Sequence, residues 1–506
     1  MKILTVDQIR TADSFTIKNE PISSLDLMEH AAEACVNWIK EKFDNKYEFK
    51  IVCGTGNNGG DGLAIARLLK KNHYKIEVLI INYSKKRTSD FNANLEKLKL
   101  ISNSNSCIDE INSIESFQTA FLLNDKSVLI DALFGSGINK PIEGFASEII
   151  DLVNHSGKKI ISIDLPSGLY CDSLNDKTDS VVKATHTLSF QFPKTSFMYP
   201  ETFVYVGDFH ILDIGLSSKF TNGLHVQNYF TTKEDIVPLI KKREKYAHKG
   251  NFGHSLIIAG SYGKIGAAVL AAKSCLKSGT GLLTMRIPKC GYEIIQSTVP
   301  EAMTEADPEL NYISNDIIID MYNSIAVGPG LGNNKHTQIF LEKLIQNSFI
   351  PLVLDADAIN MISENKTWLI NIPKNSIFTP HLKEFERIAG KSANSSERLK
   401  LQSNFSKKYS VFVVLKGAHT SISSPNGEIH FNSTGNPGMA KGGSGDVLTG
   451  IITSLLAQGY SSEHACIIGV YIHGLAGDIA AQNISEESII ASDIIEHIGS
   501  AFKLLK

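Results

Sequence analysis

The sequence has little that would tie it to a nucleic acid, a membrane or a disulfide framework. Its 506 residues hold 50 Lys and Arg against 53 Asp and Glu, a formal net charge of −3. With no basic surplus, binding driven by phosphate neutralisation is disfavoured, and no nucleic-acid partner is expected. The seven cysteines (35, 53, 107, 171, 275, 290 and 466) form no Cys-x-x-Cys pair. Buried thiols in a reducing compartment are the expectation. No apolar run approaches the length of a membrane span, so no membrane partner is expected. The N-terminal MKILTVDQIRTADSF is polar and amphipathic, unlike a signal peptide, and the expected location is cytoplasmic. There is no internal repeat and no low-complexity tract. An apolar share of 42% and a charged share of 20% are those of an ordinary globular protein. At this length the chain should hold two or more domains.

What is present is glycine in clustered runs. Asn432 to Gly450 (NSTGNPGMAKGGSGDVLTG) contains six glycines and leads into the apolar stretch Val447 to Leu456, of helical length. A glycine-rich loop feeding a helix N-terminus offers unpaired N–H groups and a favourable dipole to an anion. Asp446 stands at the mouth of that site. It can cap the helix, or act as a base beside a bound phosphate.

In the first half, helices up to Glu41 carry Leu25, Leu27, Met28, Ala31, Ala32, Cys35 and Ile39 at helical spacing, with Glu29 and His30 read as surface residues. A strand over Phe49 to Cys53 opens into Gly54-Thr-Gly-Asn-Asn-Gly-Gly-Asp-Gly62, and a helix is expected from Leu63 to Lys70. The run contains a GxGxxG spacing, but Asn57, Asn58, Gly59 and Gly60 are poor first-turn residues, so a longer loop, a nest of amides, is expected instead of a dinucleotide turn. Further strands end at Ile81, Asp131, Asp164 and Phe190, the last running into Gln191-Phe-Pro-Lys194. In an open parallel sheet these exits share one edge, which brings Asp131, Asp164 and Ser167 towards the Asn57 to Asp61 loop.

GTGNNGGDG, LIDALFGSGINKPIEG and SIDLPSGL, in that order, resemble the YjeF N-terminal domain of the NAD(P)H-hydrate epimerase family. The resemblance implies a Rossmann-like three-layer α/β sandwich over residues 1–222. It implies that Asn57, Asn58, Gly59, Gly60 and Asp61, with Gly135, Ser136, Gly137, Ile138, Asn139, Lys140 and Pro141, hold the substrate. It places Asp164 against the damaged nicotinamide ring, Lys140 as a basic catalytic residue, and Asn58, Asp131 and Ser167 on a potassium ion. Oxygen ligands of low charge suit an alkali cation better than Zn²⁺.

A short polar stretch, Gly215 to Gly223, reads as the linker. Beyond it, strands expected at His254–Ala259, Thr280–Ile287, Ser324–Val327, Pro351–Leu354, Ser376–Phe378 and Ser410–Leu415 alternate with helices. Their exits include Gly328-Pro-Gly-Leu-Gly332, Asp355-Ala-Asp357, Thr379-Pro-His-Leu-Lys-Glu384 and Lys416-Gly-Ala-His-Thr420. Glu384 is equally readable as a capping-box partner of Thr379 or of the His381 backbone, or as a site residue, whereas His381 has little packing reason to follow a proline at a strand exit. GPGLG, LDADAIN, TPHLKE, LKGAHT and GNPGMAKGGSGDVLTGII resemble, in order, the YjeF C-terminal family of ADP/ATP-dependent NAD(P)H-hydrate dehydratases. That resemblance implies a ribokinase-like α/β domain over residues 223–506. Ala267, Gly330, His381 and Asp446 would contact the hydrate, and Lys416, Gly417, Ala418, His419, Thr420 and Gly445 the nucleotide. Lys383 and Lys441 stand where the family commonly has Gly and Thr.

Together the two resemblances imply a bifunctional repair enzyme. It would interconvert R and S hydrates of NADH and NADPH, then dehydrate the S form at the expense of ADP or ATP, with Asp446 as base and Mg²⁺ offsetting phosphate charge. Relatives of this kind imply a homo-oligomer. The rival expectation is a ribokinase-like small-molecule kinase with a regulatory or scaffold first half. It shares Asp446 and the anion site but leaves the first-half motifs unexplained.

Overall fold

The computed structural model describes residues 1–101 and 107–506. They form two compact units, Lys2–Val226 and Gln227–Lys506, with Met1 grouped with the second.

The first unit is built on strands β1 (Glu48–Cys53), β2 (Lys75–Ile81), β3 (Ile108–Ile111), β4 (Ser127–Ala132), β5 (Lys159–Ile163), β6 (His186–Phe190) and β7 (Asp208–Leu212). They lie in the order β3-β2-β1-β4-β5-β6-β7, and every pair is parallel. The central strands are unbroken apolar runs because helices cover both faces. Ala32, Cys35, Ile39, Leu63 and Leu69 pack on one face, and Phe117, Ile149, Ile150 and Val153 on the other. Chain order reverses between β1 and β4, so the crevice lies beyond their carboxyl ends.

Three expectations are corrected in this unit. The helix after β1 begins at Asn57, not Leu63, and runs to Lys71. Packing overrides the poor propensity of its first turn. A Cβ on Gly59 would sit 2.0 Å from the Gly54 carbonyl oxygen, and one on Gly54 would sit 1.9 Å from that of Leu133. Only glycines let the turn close this tightly, and the expected nest of amides is a helix N-terminus. The stretch expected as a linker includes a helix, Ser218–Gly223, whose Phe220 stacks on Phe15 at 4.6 Å. Glu29, expected on the surface, is the ion-pair partner of buried Arg67.

The second unit contributes β8 (Asn228–Thr231), β9 (His254–Ile258), β10 (Leu282–Ile287), β11 (Met303–Ala306), β12 (Ser324–Val327), β13 (Leu352–Leu354), β14 (Ile377–Phe378), β15 (Phe412–Leu415), β16 (Ser421–Ser423) and β17 (Ile429–Asn432). The order is β8-β17-β16-β15-β14-β13-β12-β9-β10-β11. Pairing is parallel except in the β15-β16 and β16-β17 pairs. The order reverses between β9 and β12, which sets a second crevice at Gly260 and Gly328. There the Gly260 amide donates to the Pro329 carbonyl (2.8 Å) and Ser261 Oγ to that of Gly330 (2.8 Å).

The helix Ser462–Asn483 is long and apolar enough, by length and composition, to pass as a membrane span. The sequence reading missed it because Glu463, His464, His473 and Asp478 interrupt the run. Two-thirds of its most apolar window is buried inside the protein. It packs beside helices Ser444–Ala457 and Ala491–Leu504.

The Ser444–Ala457 helix crosses Ile265–Lys277 closely at Gly450, where a Cβ would meet Ser274 Oγ at 2.0 Å and the Ala271 carbonyl oxygen at 2.2 Å. A Gly450→Ala change gains about 1 kcal/mol of helix propensity. The backbone carbonyl cannot swing aside, and overpacking costs about 1–3 kcal/mol, more where backbone must shift. Thermal denaturation of the variant should show a lowered midpoint; an unchanged or raised midpoint would mean the helices slide apart freely.

Candidate active sites

In the first unit the helix that starts at Asn57 places Asn58 between the exits of β1 and β4. Asn58 Nδ2 donates to the Phe134 carbonyl (2.7 Å), and its Oδ1 is buried without a hydrogen-bond partner. Asp131, at the end of β4, accepts four bonds: from Ser167 Oγ (2.5 Å), Ser162 Oγ (2.7 Å), the Ser167 amide (2.9 Å) and the Leu133 amide (3.3 Å). Ser167 Oγ in turn accepts from the Phe134 amide (2.8 Å). Asn58, Asp131 and Ser167 thus converge on Phe134. The carboxylate is saturated by protein donors, and the Asn58 oxygen is the one left wanting a positive partner.

Asp164 leaves β5 with a φ of 63°, a left-handed conformation that costs a non-glycine residue energy and tends to persist where function requires it. Its Oδ1 lies 3.0 Å from Lys194 Nζ and accepts from the Phe190 amide (3.3 Å), while Oδ2 makes no hydrogen bond among the described residues. Lys194 is fully buried and also donates to the Phe192 carbonyl (3.2 Å). Burial, then the charges of Asp164 and Asp13, push the Asp61 carboxyl well above the usual range. Burial and then Asp164 push Asp13 up to about 6, against a lowering pull from Lys194. Three carboxyl groups and one ammonium therefore act on one another here. Asp13 and Lys194 were not among the residues selected from sequence. Lys194 had a signal, as the end of a polar strand exit; Asp13, on the helix Val6–Asn19, had none.

Gly59 and Gly60 lie in the same first helical turn, and Gly135 backs onto Asn58 (3.3 Å from a built Cβ). Ser136 is half-buried in that loop, and Gly137 lies 3.6 Å from Arg10 by the same measure. Ile138, Asn139, Lys140 and Pro141 line a cavity of about 560 Å³ with Asn82, Tyr83 and Phe134. Lys140 is exposed and makes no hydrogen bond or ion pair among the described residues.

In the second unit the glycine-rich loop ends at Gly443 (φ 90°), the cap residue of the Ser444–Ala457 helix, so Asp446 occupies its first turn. The Asp446 carboxyl makes no capping bond and no other hydrogen bond among the described residues, which removes the capping role. Burial, then Asp355, push it up to about 7, although Lys416 pulls it down. Lys416 Nζ is 3.0 Å from Asp355 Oδ1 and 3.0 Å from a Cβ built on Gly445. Thr449 Oγ1 donates to Asp355 Oδ2 (2.8 Å). Asp357 binds Lys264 Nζ (3.2 Å) and the Gly332 amide (2.8 Å). Asp355 was noted in sequence only as a strand exit, and Thr449 not at all.

His381 and Glu384 form a capping box. Glu384 Oε2 accepts from the His381 amide (2.8 Å), and His381 Nδ1 from the amides of Lys383 (3.1 Å) and Glu384 (3.3 Å). Glu384 is buried in that role, while the His381 ring is half-exposed and lines a cavity of about 720 Å³. The same cavity is lined by Lys416, Gly417, Ala418, Thr420, Lys441 and Gly445, with Met439, Leu448 and Val470 supplying apolar walls. His419 is set back from it, its Nδ1 3.1 Å from the Asn432 carbonyl. Lys441 Nζ donates to the Glu487 carbonyl. Ala267 and Gly330 meet at the β9/β12 crevice, where a Cβ on Gly330 would lie 3.0 Å from that of Ala267. Burial drives the His473 imidazole down to about 4, so it is neutral at pH 7 and lies 3.2 Å from Ser444 Oγ.

Residues 24–196 match the family described as YjeF-related protein N-terminus, and residues 255–499 that described as NAD(P)H-hydrate dehydratase. The bifunctional NAD(P)H-hydrate repair enzyme of Moorella thermoacetica is 31% identical, covering 98% of this chain and 96% of its own. That of Thermofilum pendens is also 31% identical, covering 100% and 97%. A solved ADP/ATP-dependent NAD(P)H-hydrate dehydratase from Bacillus subtilis, co-crystallised with ATP/Mg²⁺, is 28% identical, covers 55% of this chain and 99% of that one, and has a TM-score of 0.49.

Proposed function

The chain belongs to the family of bifunctional NAD(P)H-hydrate repair enzymes, and from that premise we propose that Asp164 is the working carboxylate of its epimerase and Asp446 the base of its dehydratase. The observation that carries the second assignment is a partly buried carboxyl with no hydrogen-bond partner among the described residues, held near pKa 7, in the first turn of a glycine-led helix beside Lys416.

For dehydration, the terminal phosphate of ADP or ATP lies at the Gly443–Gly445 turn, where helix amides and Lys416 take its charge. Asp446 accepts the proton of the hydrate's hydroxyl as that oxygen attacks phosphorus and the bond to the leaving nucleotide breaks. The new phosphate ester then departs with the C–O bond, a neighbouring C–H proton is lost, and the ring double bond returns. The cavity lined by Met439, Leu448 and Val470 takes the rest of the nucleotide. Of the nearby carboxylates, Asp355 and Asp357 are already engaged by Lys416 and Lys264 and Asp446 is the base, so Mg²⁺ would be held chiefly through the nucleotide phosphates and water. When bound, Mg²⁺ would neutralise phosphate charge.

For epimerisation, the hydroxyl must leave one face of the ring and return to the other. Asp164 Oδ2 faces the cation so formed, and the Asp61 carboxyl, whose protonated form burial favours, supplies the proton that the departing hydroxyl takes. The orphaned Asn58 oxygen fits potassium, with Asp131 lending charge through Ser167. K⁺ would steady the loop that meets the substrate.

A mixture of R and S NADH hydrates, given with ADP or with ATP in potassium buffer, tests the whole reading through the return of NADH absorbance. Full recovery of both epimers is expected, and the faster nucleotide identifies the donor. No recovery from folded protein, with a stable phosphorylated product instead, would return the second unit to a kinase reading.

A further inference from the structure

A second cluster of ligating side chains lies outside both sites, in the second unit. Glu428 precedes β17, His430 lies within it, and Glu463 is in the first turn of the helix Ser462–Asn483. One ligating atom from each lies within 4.8 Å of the others. The cluster borders a cavity of about 220 Å³ lined by Tyr229, His430, Glu463 and His464.

Three features set this group apart from an ordinary acidic surface. First, the imidazole is held in place. Its ring stacks on Tyr229 of β8 at 4.7 Å and 10°, and neither ring nitrogen makes a hydrogen bond among the described residues. An imidazole nitrogen left unengaged in this way is available to a metal ion. Second, one carboxylate is oriented from behind. Glu428 accepts from Asn426 Nδ2 (3.0 Å). Such outer bonds aim ligands in metal centres. Third, neither Glu428 nor Glu463 forms an ion pair among the described residues; the ammonium nearby, that of Met1, is taken by Asp235 at 2.6 Å. Among the described residues, the two facing carboxylates beside this ring have no cation of their own.

We propose that Glu428, His430 and Glu463 bind a divalent transition metal ion. One nitrogen and two carboxylate oxygens suit Zn²⁺ or Co²⁺ and are a poor match for Mg²⁺, which prefers oxygen alone. The bound ion would join β17 to the start of the Ser462–Asn483 helix. Both elements continue into the nucleotide cavity, β17 through Asn432 and the helix through Val470, His473 and Gly474. The site is therefore a brace for one wall of that cavity.

The test is titration of full-length, chelator-treated protein with Co²⁺ in excess Mg²⁺ and without nucleotide, followed by the visible d–d absorption. One Co²⁺ per chain is expected, displaced by Zn²⁺, with a rise in thermal midpoint on Zn²⁺ addition. Glu463→Gln should weaken the titration at least tenfold, and His430→Asn should abolish the nitrogen-ligand band. Asp446→Asn should leave both unchanged, which separates this site from the catalytic one. A Co²⁺ spectrum and affinity identical in Glu463→Gln, His430→Asn and the parent would overturn the proposal, as would the absence of any d–d band. Both variants are checked by circular dichroism; if either fails to fold, the Co²⁺ titration of the parent still decides.

Discussion

Replacing Asp446 with Asn should lower dehydration by about 10²–10⁴-fold, the range expected for loss of a general base, while epimerisation continues at its original rate. The size follows from the role. Asn is nearly isosteric and its site requires no hydrogen bond from the carboxyl, so folding and nucleotide binding should survive. What is lost is the group that takes the hydroxyl proton. In the unaltered protein the Asp446 pKa near 7 makes a second readout. The base works only when deprotonated, so the rate should fall about tenfold per pH unit below about 7 and level off above it. Asp355→Asn tests the cause of the shift. Removing the Asp355 charge takes away a repulsion that raises the Asp446 pKa, and it also frees Lys416 to favour the carboxylate. The acid limb should therefore move to lower pH. A pH profile unmoved by Asp355→Asn, or an Asp446→Asn enzyme with ordinary dehydratase rates, would remove Asp446 from the base's role.

Much of this was legible in sequence, and the exceptions have physical reasons. The buried central strands were read to within about two residues, because a parallel strand covered on both faces is a plain apolar run. Strands β3, β7, β8, β11, β16 and β17 were not. They are short or lie towards sheet edges, and β7 and β11 are half-exposed and mix polar with apolar residues. The start of the helix at Asn57 was hidden because intrinsic propensity was allowed to decide. Contacts of Gly54 and Gly59 with neighbouring carbonyls decide it instead.

The sites divide in the same way. Side chains that close a strand, such as Asp131, Asp164 and Lys416, announce themselves by position, since strand order alone sends them to one edge. Partners that arrive from elsewhere do not. Asp13 comes from a helix far back in the chain, and Thr449 reaches Asp355 from a turn beyond Asp446. His381 and Glu384 show a limit of another kind. The sequence left Glu384 open between a cap and a site role and gave His381 to the site; in the fold Glu384 is the cap, and His381 also serves it through Nδ1 while facing the cavity.

Asp164→Asn should abolish epimerisation to a comparable degree, about 10²–10⁴-fold, and leave dehydration of the S hydrate untouched. Given a mixture of epimers and a nucleotide, this variant should return the S share of NADH promptly and the R share only as fast as the hydrates interconvert unaided. Lys194 sharpens the argument. It is fully buried and holds Asp164 Oδ1 at 3.0 Å. Its replacement by Met leaves a carboxylate in a poorly solvated site without its cation, which is costly for the ionised form. Epimerase activity of Lys194→Met should thus drop at neutral pH and recover in part as pH rises, because the ionised Asp164 is the working form. Lys194→Arg, which keeps the charge, should restore much of the loss at pH 7 if the guanidinium can be housed. A Lys194→Met enzyme whose loss is the same at every pH would assign the lysine to packing alone. Full epimerase activity in Asp164→Asn would move the chemistry to Asp61 or Asp13, the two remaining carboxyls of that pocket.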